Sequence, residues 1–161
     1  MKIGTDGVLL GAWATIDQNA NQLLDLGAGT GIIALQLAQR NAYADIDAIE
    51  IDDAAFEQCT DNFENSPWAD RLFCYHASAQ QFATEMVETY DLIVSNPPFY
   101  EPSLRKSGSL PAGEKNMSNS RKIARFNDAL PFEHLIGCVH KLLSENGIFA
   151  LVLPRKEEDS F

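Results

Sequence analysis

The sequence predicts an α/β fold of three layers around a mostly parallel sheet. Two observations carry that expectation. Short apolar runs alternate with segments of helical periodicity, and the first run ends in a turn of closely spaced glycines that opens a helix. Alternation of this kind calls for right-handed β-α-β crossovers, because parallel neighbours cannot be joined by a tight hairpin.

Each element follows from its residues. Near the N-terminus, Thr5 or Asp6 would cap a short helix beginning before Val8-Leu9-Leu10. Gln22–Leu26, Ile46–Ile51, Leu72–His76, Leu92–Ser95 and Ile148–Leu153 read as strands buried on both faces. Between them, Gly31–Arg40, Asp53–Glu64, Ala79–Glu88 and Phe132–Leu143 read as helices. In the last of these, Phe132, Leu135, Ile136, Val139, Leu142 and Leu143 recur at helical spacing, Pro131 precedes them, and Asn146-Gly147 supplies a stop. The segment 100–128 has no such pattern and is longer than ordinary connections, so it is expected to be either a functional loop or a disordered one. After the last strand the charged run Arg155–Asp159 looks like the start of another element. Residues 1–161 are therefore expected to form a single domain that is incomplete at its C-terminus.

Composition bounds the function. With 161 residues, 45% of them hydrophobic, the chain can bury one real core. It has no apolar stretch of about 18 residues and no basic-then-apolar leader, so a soluble cytoplasmic protein is expected, with no membrane partner. Cys59, Cys74 and Cys138 are widely spaced and sit in apolar patterns, which suits reduced core residues. His76, His134 and His140 show no ligand spacing, and no metal is expected.

The net charge of −11 argues against a generic nucleic-acid binder. Locally the balance reverses. From Glu101 to Phe126 the chain carries +4, through Arg105, Lys106, Lys115, Arg121, Lys122 and Arg125, whereas the remainder carries −15. Such a segment is either a solvated loop or the place where a polyanion meets the site.

Two motifs carry chemistry. Asp25-Leu26-Gly27-Ala28-Gly29-Thr30-Gly31 follows a predicted strand and opens a predicted helix, where glycines let a ligand approach the backbone closely. A dinucleotide fingerprint would need a small residue at position 32. Ile32 stands there, which disfavours NAD. Glu50 ends the next strand, 19 residues beyond Gly31, where a carboxylate can accept from ribose hydroxyls. The second motif is Asn96-Pro97-Pro98-Phe99, directly after the run Leu92–Ser95. Two prolines stiffen the turn, the Asn96 side-chain oxygen and the Pro97 carbonyl are both acceptors, and an exocyclic NH₂ has two hydrogens to give. Phe99 could stack on the ring that bears the amine. The plainer alternative is a loop breaker after a strand.

Together these pieces resemble the S-adenosylmethionine-dependent methyltransferases of the Rossmann-like class. A closer likeness is carried by Lys2 through Ala14, by Asn65-Ser66-Pro67-Trp68-Ala69 and by Gln80-Gln81, which are similar to segments of the tRNA1(Val) adenine-37 N6-methyltransferases. The resemblance implies that Asp25, Gly27, Gly29, Glu50 and Asn96 hold S-adenosylmethionine and that Thr5 and Asp6 line its methionine end. Ser78 stands where relatives have an acid that accepts from the cofactor's adenine. The resemblance also implies that Asn96, Pro97, Pro98 and Phe99 serve catalysis, and with a tRNA substrate the local positive charge would place its backbone against Arg105, Lys106, Arg121, Lys122 and Arg125. It further implies a fragment, with a preceding segment and the C-terminal strands of the sheet missing.

The leading expectation is N6-methylation of an adenine in tRNA, in the anticodon-loop region. The same motif would serve guanine N2 in ribosomal RNA or a glutamine amide. A cofactor-binding module without turnover is the alternative from another class.

Overall fold

The structure, a computed structural model, describes residues 4–97 and 132–153. Strands β1 (Gln22–Leu26), β2 (Asp45–Glu50), β3 (Leu72–His76), β4 (Tyr90–Ser95) and β5 (Leu143–Leu151) alternate with helices α2 (Ile32–Arg40), α3 (Asp53–Glu64), α4 (Ala79–Glu85) and α5 (Phe132–Leu142), and α1 (Thr5–Trp13) precedes them all. The sheet order is β3-β2-β1-β4-β5 and every neighbouring pair runs parallel. The predicted α/β class and the parallel sheet are both present.

Strand alternation builds the layers. Successive side chains leave opposite faces of a strand. Leu23, Ile46, Leu92 and Val94 therefore pack with Leu10, Ile33, Leu37 and Phe63 of α1, α2 and α3. Their neighbours Leu24, Leu26, Ile49 and Ile93 pack with Phe82 of α4 and Leu135, Val139 and Leu142 of α5. Each fully buried leucine contributes about 1.5–3 kcal/mol through removal of apolar surface from water.

Polar clamps tie the layers at helix ends, where backbone carbonyls lack intrahelical partners. The Arg40 guanidinium donates to the Gly11 and Ala14 carbonyls at the end of α1, each at 2.7 Å. Arg71, buried at 8% exposure, donates to Ala44, Ala38 and Asn41 just past or within the last turn of α2, at 2.8, 2.5 and 2.8 Å. Positive charge there also opposes the helix dipole. Beneath the central strands, the Tyr90 hydroxyl donates to the buried Asp47 carboxylate at 2.6 Å.

Several expectations are corrected. Neither Thr5 nor Asp6 caps α1: Gly4 is the capping residue, without a side-chain bond, and Thr5 already lies in the helix. Helix α2 starts at Ile32, because Gly31 takes the left-handed conformation that launches it. Helix α4 ends at Glu85 rather than Glu88. Met86 is already extended, and the β-branched Val87 and Thr89 favour that turn toward β4.

Strand β5 begins at Leu143, directly after α5, so Asn146-Gly147 lies inside it. Residues between Leu143 and Ile148 bulge where β4 advances only from Tyr90 to Leu92. Burial on both faces fails for β3, where Phe73 and Tyr75 are exposed, and for β5, where Ile148 is, since each stands at an end of the described sheet with one neighbour and partial cover.

Candidate active site

All four strand ends that carry the predicted motifs lie on one edge of the sheet. Parallel register pairs Leu26 with both Ile49 and Ser95, and Glu50 with His76. The glycine turn after β1, Glu50 on β2, Ser78 after β3 and Asn96-Pro97 after β4 are thereby brought together. Ligands bind such sheets at their carboxyl edge.

The turn is built by its glycines. Gly27, Gly29 and Gly31 all have positive φ, at 76°, 58° and 78°. Gly31 is doubly constrained, since a Cβ there would stand 2.5 Å from a Phe63 ring carbon and 2.8 Å from the Cys59 sulfur. At Gly27 the same test meets nothing within 4 Å, so that part of the turn presents bare backbone outward. The Gly27 and Ala28 N–H groups both donate to the Ile49 carbonyl at 3.0 Å, and the Asn62 amide donates to the Thr30 carbonyl at 2.9 Å. The turn is pinned to β2 and α3.

Glu50 does more than the sequence implies. It is buried at 8% exposure, and its Oε2 accepts from Gly29 N–H at 2.7 Å while Oε1 accepts from Ile51 and Asp52 at 2.8 and 2.9 Å. A carboxylate offers about four lone-pair sites, so Oε2 keeps one for a hydroxyl while still holding the turn.

Asp25 sits under the turn and is wholly buried. Its Oδ2 accepts from Ala34 N–H at 3.2 Å, in the first turn of α2, and its Oδ1 has no hydrogen-bond partner among the described residues. Burial raises its pKa from 3.8 to about 7, the Ala34 bond opposes that rise, and the Glu50 charge adds to it.

Asn96 and Pro97 follow β4 and are half-buried. Pro98, Phe99 and the five expected phosphate-contacting residues, Arg105, Lys106, Arg121, Lys122 and Arg125, lie outside the described residues. Thr5 and Asp6 are exposed in the first turn of α1, next to Gly7. Gly7 faces Asn96, so α1 delivers both to the Asn96 side of the edge. Ser78 caps α4 by accepting from Gln81 N–H at 3.2 Å, which leaves its hydroxyl hydrogen to give.

Two supporting residues escaped the sequence reading. Ser95, 1% exposed, donates to the Leu26 carbonyl at 2.9 Å and so fixes the end of β4 against the end of β1. Gly7 is the other, and its only sequence signal is its place after Thr5-Asp6. Among the described residues, no group of three or more His, Cys, Asp or Glu side chains could hold a metal, and no helix is long and apolar enough to cross a membrane.

Residues 6–110 match the family model described as methyltransferase small domain. The chain is 56% identical over its whole length to a protein of Flavobacterium psychrophilum and 53% identical to one of Flavobacterium johnsoniae, both named tRNA1(Val) (adenine(37)-N6)-methyltransferase. A protein of Pectobacterium carotovorum with the same name is 41% identical. The chain spans 64%, 64% and 61% of the length of these relatives. Among solved structures it is similar to precorrin-6y C5,15-methyltransferase from Geobacter metallireducens, with a TM-score of 0.61 at 15% identity over 96% of this chain and 65% of that one. A methyltransferase from Thiobacillus denitrificans in complex with S-adenosyl-L-homocysteine gives a TM-score of 0.57 at 17% identity, over 96% of this chain and 52% of that one.

Proposed function

Because the chain belongs to the methyltransferase small domain family, we propose that it binds S-adenosylmethionine and serves methyl transfer to the exocyclic N6 of an adenine in tRNA. One observation carries the reading. The strand that leads into Asn96 lies beside the strand that leads into the glycine turn, and Ser95 ties the two ends together. An amine acceptor and a methyl donor would thus meet at one edge of the sheet.

The residues present suit the cofactor. Gly27 offers open backbone, Glu50 retains a lone pair for a ribose hydroxyl, and the unpartnered Oδ1 of Asp25 supports negative potential beneath the turn. When bound, S-adenosylmethionine supplies a methyl group on a positively charged sulfur. Asn96 and the Pro97 carbonyl would accept the two amine hydrogens, which holds the nitrogen lone pair toward the donor. Orientation of that kind can supply about 7–11 kcal/mol of a barrier. An adenine must leave its stack to reach the edge, and a loop nucleotide does so at modest cost. The names of the relatives favour tRNA, and the basic run Arg105 to Arg125 suits its backbone. Such a substrate is met in the cytoplasm.

The test is calorimetric titration of the chain with S-adenosylmethionine, then a transfer assay on unmodified tRNA read as modified nucleosides by mass spectrometry. Saturable binding and N6-methyladenosine are expected. A methylated guanine N2 in place of N6-methyladenosine would replace the acceptor, and binding without transfer would reduce the chain to a cofactor-holding part.

A further inference from the structure

Cys59 on α3 and Cys74 on β3, separated by a helix turn and a loop in sequence, meet in one apolar cluster, and neither takes part in the candidate active site. Cys59 is fully buried, and its sulfur stands 2.8 Å from where a Cβ on Gly31 would sit. Cys74 is half-buried, packs against the same apolar cluster, and lines a cavity of about 320 Å³ together with Thr60, Phe63 and Tyr75. Cys59 beside it pulls the Cys74 thiol below its usual range despite burial, while Cys74 and then burial push the Cys59 thiol up. Of the two, Cys74 is the one with access, lining the cavity while Cys59 is sealed in the core, and the directions of both shifts favour it for thiolate character. Reactive cysteines differ from inert core ones in having that character together with access.

We propose that Cys74 is a peroxide-reactive thiol, that Cys59 is its resolving partner, and that the disulfide between them loosens the glycine turn. The Cys74 thiolate attacks one oxygen of hydrogen peroxide, the O–O bond breaks, and hydroxide leaves, giving a sulfenic acid. Cys59 then gives up its proton and attacks the Cys74 sulfur. The S–S bond forms as the S–O bond breaks, and water leaves. The two sulfurs together lose two electrons, and the peroxide gains them.

The consequence for the turn follows from packing. The Cys59 sulfur now lies against Gly31, and the same helix holds the Thr30 carbonyl through Asn62. Drawing Cys59 toward Cys74 removes the first contact and strains the second. This last limb rests on the reading of the turn as a cofactor site, whereas the thiol chemistry does not.

The experiment treats the reduced chain with hydrogen peroxide, measures intact mass, maps disulfides after digestion, and titrates S-adenosylmethionine before and after. Loss of two hydrogens with a Cys59–Cys74 bond is expected, reversed by dithiothreitol, with affinity weakened about tenfold, equivalent to about 1.4 kcal/mol. Cys59→Ser should stop at a sulfenic acid trapped by dimedone, and Cys74→Ser should react with neither. A wild-type chain that forms no such bond, or a Cys74→Ser chain oxidised as readily as wild type, would overturn the thiol pair. A mapped disulfide with unchanged cofactor affinity would overturn its effect on the turn. If the reduced chain bound no S-adenosylmethionine at all, the proposed function would fall while the mass data still judged the thiols.

Discussion

The carboxamide nitrogen of Asn96 lies 3.4 Å from the point where a Cβ on Gly7 would stand, with an Ile33 side-chain carbon 3.8 Å from the same point. The first turn of α1 therefore closes over the end of β4 with room for one carbon. Gly7→Ala should fold normally, gaining up to about 1 kcal/mol from helix propensity, and keep its transfer rate. Gly7→Val must displace the Asn96 side chain, and a misplacement of about 1 Å costs on the order of a hundredfold in rate. Single-turnover transfer beside a cofactor titration checks this: the rate should fall in the valine variant far more than affinity does. An equal fall in both would move Gly7 from positioning the amine to shaping the cofactor pocket.

Glu50→Gln separates the two tasks of that side chain. Glutamine keeps one oxygen that can still accept from Ile51 and Asp52, but its amide nitrogen cannot accept from Gly29. Removing one partner of a buried bond costs about 1–3 kcal/mol. Thermal stability should fall modestly and S-adenosylmethionine affinity about tenfold or more, by calorimetry. Unchanged affinity would show that the hydroxyl acceptor is another residue.

Much of the frame was legible because it depends on local pattern. Strand β1 and helix α3 have the predicted bounds, since three leucines within five residues before a glycine turn and a side-chain cap at Asp52 are both local signals. Elsewhere distant partners decide. Strand β5 starts at Leu143 because it can pair with Tyr90 before the bulge, a register no sequence window contains. The exposure of Phe73 and Tyr75 follows from the edge position of β3, which an apolar run cannot announce. The same holds at the site. The glycines and Glu50 announce themselves by spacing, whereas Gly7 against Asn96 and Cys59 against Cys74 are created only by packing α1 and α3 onto the sheet.

Arg121 and Lys122 test the basic segment, which lies outside the described residues. If they neutralise phosphates, changing both to Ala should weaken tRNA binding and lower the slope of log affinity against log salt by about one to two, since each contact releases most of a counterion. Filter binding across a salt series measures it. A slope equal to that of wild type would remove these residues from the substrate path.

Asp25 gives the fold an unusual pH dependence. Its carboxyl titrates near 7 in the fold against 3.8 as an ordinary carboxylate, chiefly because it is buried. Between those values the folded chain holds a proton that the unfolded chain has released, so stability from this group is complete below about pH 4 and is lost as the pH climbs to about 7. A shift of about three units corresponds to about 4 kcal/mol. Asp25→Asn removes the ionisation while its side-chain oxygen can still accept from Ala34 N–H. The variant should therefore gain stability relative to wild type as the pH rises from 5 to about 8, by a few kcal/mol. Urea unfolding at both pH values reads that difference directly, and the comparison cancels the opposite trend of the other carboxylates. The same ionisation links to ligand: a cation above the turn favours the charged carboxylate, so S-adenosylmethionine binding near pH 7 should release a proton from Asp25. Calorimetry in two buffers of different ionisation enthalpy would show that release in wild type and its absence in Asp25→Asn.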